Sequence, residues 1–256
     1  MTGLALVGHQ FRYDQKAFWR NPASVFFTVM FPVILFLILA LVFSGEEVNV
    51  RGGIDATTYY VPAIMSLAII SATMQTLAMT LVIAREDGRL KRGRGTPMPP
   101  WVFIAGRIGN SIVVALLMLV LLAGIGGLLY GVSVPWDRLP AILLALVVGA
   151  ASFCCLGIAL TAAIPSQDAA APIVNALLLP LYFLSGVFIP EDQLPSGVIH
   201  FADVFPVRHF FEAFFDAYVP AGGSAVSWDN LAVVAIWGVA GVLLSVRFFR
   251  WTPRGG

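Results

Sequence analysis

Residues 59–100 read YYVPAIMSLAIISATMQTLAMTLVIAREDGRLKRGRGTPMPP. The first 26 positions carry no charge, and the next ten hold Arg85, Arg89, Lys91, Arg92 and Arg94 beside Glu86 and Asp87. About 20 mostly apolar residues suffice to cross ~30 Å of hydrocarbon. The run up to Ala84 is therefore read as a membrane-spanning helix that stops where the charge begins.

The rest of the chain agrees. Of 256 residues, 59% are hydrophobic and 11% charged, against roughly 25% charged in soluble domains, and mean hydropathy is +0.89. A chain of this length has too little interior to hide so much apolar surface, so its solvent is lipid. The expected fold is an all-α integral membrane protein with six transmembrane helices, at about 24–43, 59–84, 108–130, 139–164, 172–189 and 231–249. No loop is long enough for a separate domain, so residues 1–256 read as a single transmembrane domain.

Lys and Arg in the flanks set the orientation. Arg12, Lys16, Arg20, the five basic residues of the quoted stretch, Arg107, Arg247, Arg250 and Arg254 fall on one side, and Arg51, Arg138 and Arg208 on the other. Twelve against three places both termini and the quoted loop in the cytoplasm of a plasma-membrane protein. The N-terminus does not read as a cleavable signal, because its apolar run is too long and no small-x-small site follows. Ahead of the first span, Leu4, Val7, Phe11 and Phe18 can share one helix face, as an amphipathic helix in the interface requires. Asn21-Pro22 then turns the chain into the bilayer.

Several chemistries are excluded. Neither G-x-x-x-x-G-K-[ST] nor G-x-G-x-x-G occurs, so the chain has no nucleotide site of its own. The net charge of +1 gives no footprint for nucleic acid. The span interiors lack Asp, Glu, Lys and Arg, the groups that ion-coupled carriers place at mid-membrane. Ser185 and His209 lack the context of an intramembrane serine protease. Glu191, Asp192, His200, Asp203 and His209 match no metal-ligand spacing. Adjacent Cys154 and Cys155 read as small buried hydrophobes.

The quoted loop holds more than topogenic charge. Residues 85–92 can form a short helix with Arg85, Arg89 and Arg92 on one face and an Asp87–Lys91 pair at i, i+4. Gly93 and Gly95 end that helix, and Thr96-Pro97-Met98-Pro99-Pro100 forces an extended segment. Glu86, Gly88, Leu90, Arg92, Thr96, Pro97 and Met98 stand where the E-x-G-x-L-x-R-x-x-x-T-P-[LM] segment of ABC-2 type exporter permeases has its motif, and the stretch resembles that segment. Phe183-Leu184-Ser185-Gly186 with Pro190, Leu194 and Pro195 resembles that family's F-L-S-G-x-x-x-P-x-x-x-L-P segment. Pro206-Val207-Arg208-His209 resembles the motif that follows it.

The resemblance implies a membrane subunit driven by a separate P-loop ATPase, two copies of which bind the ATP and Mg, while this chain binds no cofactor. It implies a second permease chain, identical or related. Arg85, Glu86, Asp87, Gly88, Arg89, Leu90, Arg92, Thr96 and Pro97 would form the ATPase-coupling loop. Spans two and five would enclose the substrate path, with Thr73, Thr76, Asn175, Leu179 and Phe183 as lining candidates. The alternative for the threonines is a bond to their own backbone at i−4. Ser185, Gly186, Pro190, Pro195, Pro206, Arg208, Phe210 and Glu212 would belong to an outer gate. Between spans five and six, Val207, Phe210, Phe211, Phe214 and Tyr218 recur at helical spacing with Arg208, Glu212 and Asp216 opposite. Thirteen residues are too few to span, so that helix either lies at the outer interface or re-enters the membrane. Ala141, Ala145 and Gly149 form a small-residue stripe expected to serve helix packing. The expected function is export of a hydrophobic or amphipathic substrate such as a drug, antibiotic or lipid. A non-transporting sensor or scaffold and a secondary carrier are the alternatives.

Overall fold

The computed structural model describes residues 3–48, 53–94, 100–190, 194–220, 224–249 and 252. Helix α1 (Gly3–Trp19) precedes α2 (Pro22–Val42), whose N-terminus is capped by Asn21: its Oδ1 accepts from the Ser24 N–H at 3.2 Å. A two-residue hairpin follows, β1 (Glu47–Val48) pairing antiparallel with β2 (Ile54–Asp55). Asp55 caps α3 (Ala56–Glu86) through the Thr57 N–H at 2.8 Å. A short α4 (Arg89–Arg94) leads to α5 (Pro100–Tyr130), α6 (Leu139–Leu160) and α7 (Ala170–Leu184). The small helices α8 (Ser196–Ala202) and α9 (Pro206–Tyr218) precede α10 (Trp228–Phe248).

Among the described residues, five helices are long and apolar enough to cross a membrane: α2, α3, α5, α6 and α10. The segment expected at 172–189 forms the 15-residue α7, about 22 Å long at ~1.5 Å per residue, and then breaks into turns. The third segment differs in the other direction. Its helix begins at Pro100 and runs for 31 residues, because α1 packs along that extension, closely against Gly106.

Helix α6 is the hub, and residues without bulk make it so. A Cβ placed on Gly157 would stand 2.8 Å from the Met74 carbonyl of α3. Cβ atoms on Gly238 and Gly241 of α10 would meet Ser152 and the Cys155 backbone of α6 at 2.5 and 2.9 Å. A Cβ on Gly149 would collide with the Phe210 ring of α9. Ala141, Ala145 and Gly149 are all buried, so the small-residue stripe does serve packing, and Cys154 is buried with it. Close backbone approach is the usual basis of helix association where no hydrophobic drive exists between helices.

Both α2 and α3 contain a π turn, at Phe26–Met30 and Ser71–Gln75. Such a turn inserts an extra residue and re-aims the side chains around it, often at a functional place. Arg89, Arg107 and the end of α1 lie together at one end of the bundle, called here the basic end. Arg138 and the close of α9 lie at the opposite, far end, where Arg138 Nη1 donates to the Asp216 carbonyl at 3.2 Å.

Candidate functional site

At the basic end α3 continues to Glu86, and Gly88 adopts φ +68°. That is left-handed backbone, which glycine enters without a Cβ clash. The expected single helix over residues 85–92 is therefore two pieces, with the chain redirected at Gly88 into α4. The expected Asp87–Lys91 pair is also absent among the described contacts. Instead Asp87 Oδ2 accepts from Arg89 Nη2 at 2.6 Å, and Arg92 Nη2 donates to the Asp87 carbonyl at 3.2 Å. The turn at Gly88 breaks the i, i+4 spacing that the Asp87–Lys91 pairing assumed.

Arg85 does not share an outward face with Arg89 and Arg92. It is 1% exposed. Its Nε donates to Glu86 Oε1 at 2.7 Å, its Nη1 to the Thr161 carbonyl at 2.9 Å and its Nη2 to the Ile164 carbonyl at 2.7 Å. The last carbonyls of a helix lack intrahelical donors, and a cation there also meets the negative end of the helix dipole. Arg85 thus ties the end of α3 to the turn that closes α6. Leu90 is 2% exposed and likewise turns inward, anchoring α4 by apolar packing. What remains outward is Asp87, Arg89, Lys91 and Arg92, a mixed-charge edge. Thr96 and Pro97 lie outside the described residues.

The substrate-path candidates separate into two groups. Thr73 is fully buried and its Oγ1 donates to the Ile69 carbonyl at 2.6 Å. It faces into the bundle and satisfies its own helix, the alternative weighed for it. Thr76 is half-buried, donates to the Ser71 carbonyl at 2.9 Å and meets Thr28 Oγ1 at 3.2 Å. Asn175, Leu179 and Phe183 instead form an i, i+4, i+8 stripe on the outward face of α7, with Leu179 51% and Phe183 48% exposed. The opposite stripe of Ala170, Val174, Leu178 and Tyr182 is buried. Gln75, within the π turn of α3, donates through Nε2 to Asn175 Oδ1 at 2.9 Å. A polar pair thus sits on an otherwise apolar outer surface, joining α3 to α7. Gln75 is not among the expected lining residues, since only the packing of α3 against α7 brings it beside Asn175.

At the far end, Gly186 has φ +90° and its carbonyl accepts a hydrogen bond from the Tyr59 hydroxyl. Tyr59 also packs edge-on against Phe211, ring centroids 5.9 Å apart. Ser185 is buried, with Oγ donating to the Tyr182 carbonyl at 3.0 Å, and Pro190 is buried at the end of this turn. Pro195 precedes α8 and Pro206 begins α9. Phe210, Phe211, Phe214 and Phe215 of α9 are all buried. Arg208, expected on the polar face, is buried too, and its Nε donates to Asp203 Oδ1 at 2.7 Å. Glu212 is half-buried. Trp237 Nε1 donates to the Val204 carbonyl at 3.1 Å, and Phe210 stands 5.3 Å from Phe153. The α8–α9 hairpin therefore packs against the middles of α6 and α10, not only their ends. Tyr59 was another residue the sequence offered no signal for, since only the fold brings it to Gly186.

A bundle of long apolar helices, with a charged turn locked to its hub and a polar pair on an apolar outer face, is the architecture of a multi-pass membrane protein. The profile of the family described as ABC-2 type transporter matches residues 7–219, and the chain belongs to that family. It is 20% identical over 193 residues to "Probable multidrug ABC transporter permease YbhR" of Escherichia coli (strain K12), covering 73% of this chain and 52% of that protein. It is 21% identical over 233 residues to YvfS of Bacillus subtilis (strain 168), named as a transport permease, covering 91% of this chain and 92% of that one. Nodulation protein J of Sinorhizobium fredii (strain NBRC 101917 / NGR234) is 27% identical over 174 residues, 66% of this chain and 64% of that one. The chain spans about half the length of the Escherichia coli relatives it matches.

Proposed function

We propose that residues 1–256 form one transmembrane domain of an ATP-binding cassette exporter, paired with a second permease chain and driven by two copies of a separate P-loop ATPase. ATP and Mg bind to those partners, and this chain contributes no nucleotide site. The basic end faces the cytoplasm of the cell membrane, in keeping with the Lys and Arg distribution. Helix α7 with the turns after it completes a sixth crossing. The α8–α9 hairpin re-enters the membrane from the outer side: Gly149, which receives Phe210, lies roughly 15 Å along α6 from its start at ~1.5 Å per residue.

The carrying observation is the anchorage of the Glu86–Arg94 segment. Its mixed-charge edge is free to meet a partner, while Arg85 and Leu90 are built into the bundle. A push on α4 is then passed to the close of α6, and α6 packs against α3, α9 and α10. ATP-driven closure of the ATPases tilts the two permease chains and opens a path between them, enclosed by α3 and α7 of both. Only a difference in interaction with the two states can shift that balance. The exposed Leu179 and Phe183 beside one amide pair suit a hydrophobic or amphipathic substrate, drug-like or lipid-like, and the multidrug name of the Escherichia coli relative agrees.

The test is co-purification with a P-loop ATPase and substrate-stimulated ATP hydrolysis in liposomes. Glu86→Ala and Gly88→Pro are expected to uncouple hydrolysis from export. Full coupling in both variants sinks the docking assignment.

A further inference from the structure

A cavity of about 250 Å³ lies at the basic end between α1, the start of α2, the end of α3 and the start of α5. That approaches the lower end of small-ligand pockets, about 300 Å³. It is formed by an unusually tight joint. Cβ atoms on Gly106 and Gly109 would meet Gln10 at 2.6 Å and Phe11 at 3.2 Å, so α1 lies directly on the α5 backbone there. Beyond that joint the helices part, and Asp14, Thr76, Thr80, Arg89, Arg107 and Asn110 are among the residues facing the gap.

Two polar atoms on residues of this lining are unmatched. Arg107 Nε and Asn110 Oδ1 are buried, and neither has a hydrogen-bond partner among the described residues. The Arg107 guanidinium is held on one side by the Phe103 ring, 4.8 Å from its centroid. Buried polar groups are normally hydrogen-bonded, and an exception asks for an explanation. Asp14, also buried, is engaged by Gln10, whose Nε2 lies 3.1 Å from both carboxylate oxygens.

We infer that this cavity binds the phosphate-bearing headgroup of a membrane phospholipid. Arg107 lines the cavity, a turn of its side chain gives the unmatched Nε a phosphate oxygen as acceptor, and guanidinium–phosphate contacts are charge-assisted and directional. Arg89 brings a second cation to the same gap, and its exposed pair with Asp87 is worth little, so a singly charged phosphodiester competes for it. A headgroup hydroxyl or ammonium donates to Asn110 Oδ1. The depth is right for a lipid: Trp19 and Trp101 stand exposed at this end, as tryptophans do at the headgroup level. Acyl chains also have a surface to follow, because Phe26, Phe27, Met30 and Phe31 are exposed along α2 just beyond Ser24, which lines the cavity. The inference concerns a lipid held by one protomer and does not depend on an ATPase partner or on which substrate is exported.

The experiment is native mass spectrometry and thermal stability of the purified full chain in detergent. Phosphatidylglycerol, phosphatidylethanolamine, uncharged diacylglycerol and inorganic phosphate are added separately. Phospholipid adducts that also raise Tm, with diacylglycerol ineffective, are the expected result. Arg107→Gln is expected to weaken phospholipid binding at least tenfold. Asn110→Asp keeps the side-chain shape but adds negative charge beside the phosphate, and the same loss is expected there; it decides the matter if Arg107→Gln does not fold. Unchanged phospholipid binding in Asn110→Asp overturns the site. Stabilisation by inorganic phosphate with no phospholipid adduct overturns the lipid as its occupant.

Discussion

The Arg85 guanidinium donates to the Thr161 carbonyl at 2.9 Å across 76 residues of sequence. A second nitrogen reaches the Ile164 carbonyl and a third the Glu86 carboxylate. One buried side chain thus satisfies two carbonyls at the close of α6 while its charge is met by the next residue. Arg85→Ala leaves those acceptors and Glu86 without this donor, and removing one partner of such a buried pair costs about 3–5 kcal/mol. Arg85→Lys is expected to recover only part, since an ammonium cannot reproduce the fork. Arg89→Gln, which breaks the exposed pair with Asp87, is expected to cost under about 1 kcal/mol. Thermal unfolding in detergent orders the three, and equal losses for Arg85→Ala and Arg89→Gln contradict the anchoring role.

Gly149 and Phe210 interlock, because the Phe210 ring occupies the space a Cβ on Gly149 would need. Gly149→Leu overpacks this contact, typically a loss of about 1–3 kcal/mol. Adding Phe210→Ala is expected to restore part of it. A double-mutant cycle in thermal unfolding reads the coupling, and strictly additive effects mean that the hairpin does not seat there.

Gln75 and Asn175 bridge α3 and α7 on the outward face. Interhelical hydrogen bonds in membranes average about 0.6 kcal/mol, so Gln75→Leu and Asn175→Leu are expected to leave folding nearly intact. Their effect belongs to transport, as a changed substrate range or rate in a liposome export assay. Identical transport profiles for both variants and the wild type remove the pair from the path.

Gly88 holds φ +68° with room around it, the nearest atom to an added Cβ being Arg92 Nη1 at 3.9 Å. Gly88→Ala is therefore penalised by backbone conformation alone, roughly 1 kcal/mol. Gly88→Asn is expected to be milder, since asparagine visits this region more readily. Protease sensitivity of the 86–94 turn in proteoliposomes reports the difference, and equal sensitivity in the two variants refutes it.

Burial raises the Asp14 carboxyl above its ordinary 3.8, opposed by Arg107 and by the Gln10 hydrogen bond. Arg107 faces it from α5, and Arg89 from α4 lines the same cavity. With the folded value raised, the protonated form stabilises the fold. That contribution is complete below the unfolded value of 3.8 and is lost as pH rises through the folded value. Asp14→Asn is expected to flatten this fall in Tm, and a wild-type curve that climbs with pH in that window, relative to Asp14→Asn, reverses the assignment.

Hydropathy alone determined that the chain is helical and lives in lipid, since a 26-residue uncharged run has one physical solution: a helix whose backbone bonds are internal. The order of motifs at 86–98, 183–195 and 206–209 likewise pointed to the family before any fold was in view. Asn175, Leu179 and Phe183, which the resemblance implied as lining candidates, do share one exposed face of α7. What periodicity could not decide was which charges face in and where the helices change register. Arg85 looks topogenic beside Arg89 and Arg92, and only the arrival of the α6 close at Thr161 and Ile164 makes it a buried anchor. Leu90 stands among charged residues in sequence, and the fold turns it in against the bundle. Gln75 meets Asn175 where α3 packs on α7, and Arg107 and Asn110 share a cavity with Asp14 beside the glycine joint of α1 and α5. Local sequence patterns encode how one helix divides polar from apolar. The contacts that build these sites come from helix against helix, where missing side chains such as those of Gly106, Gly149 and Gly157 set the distances.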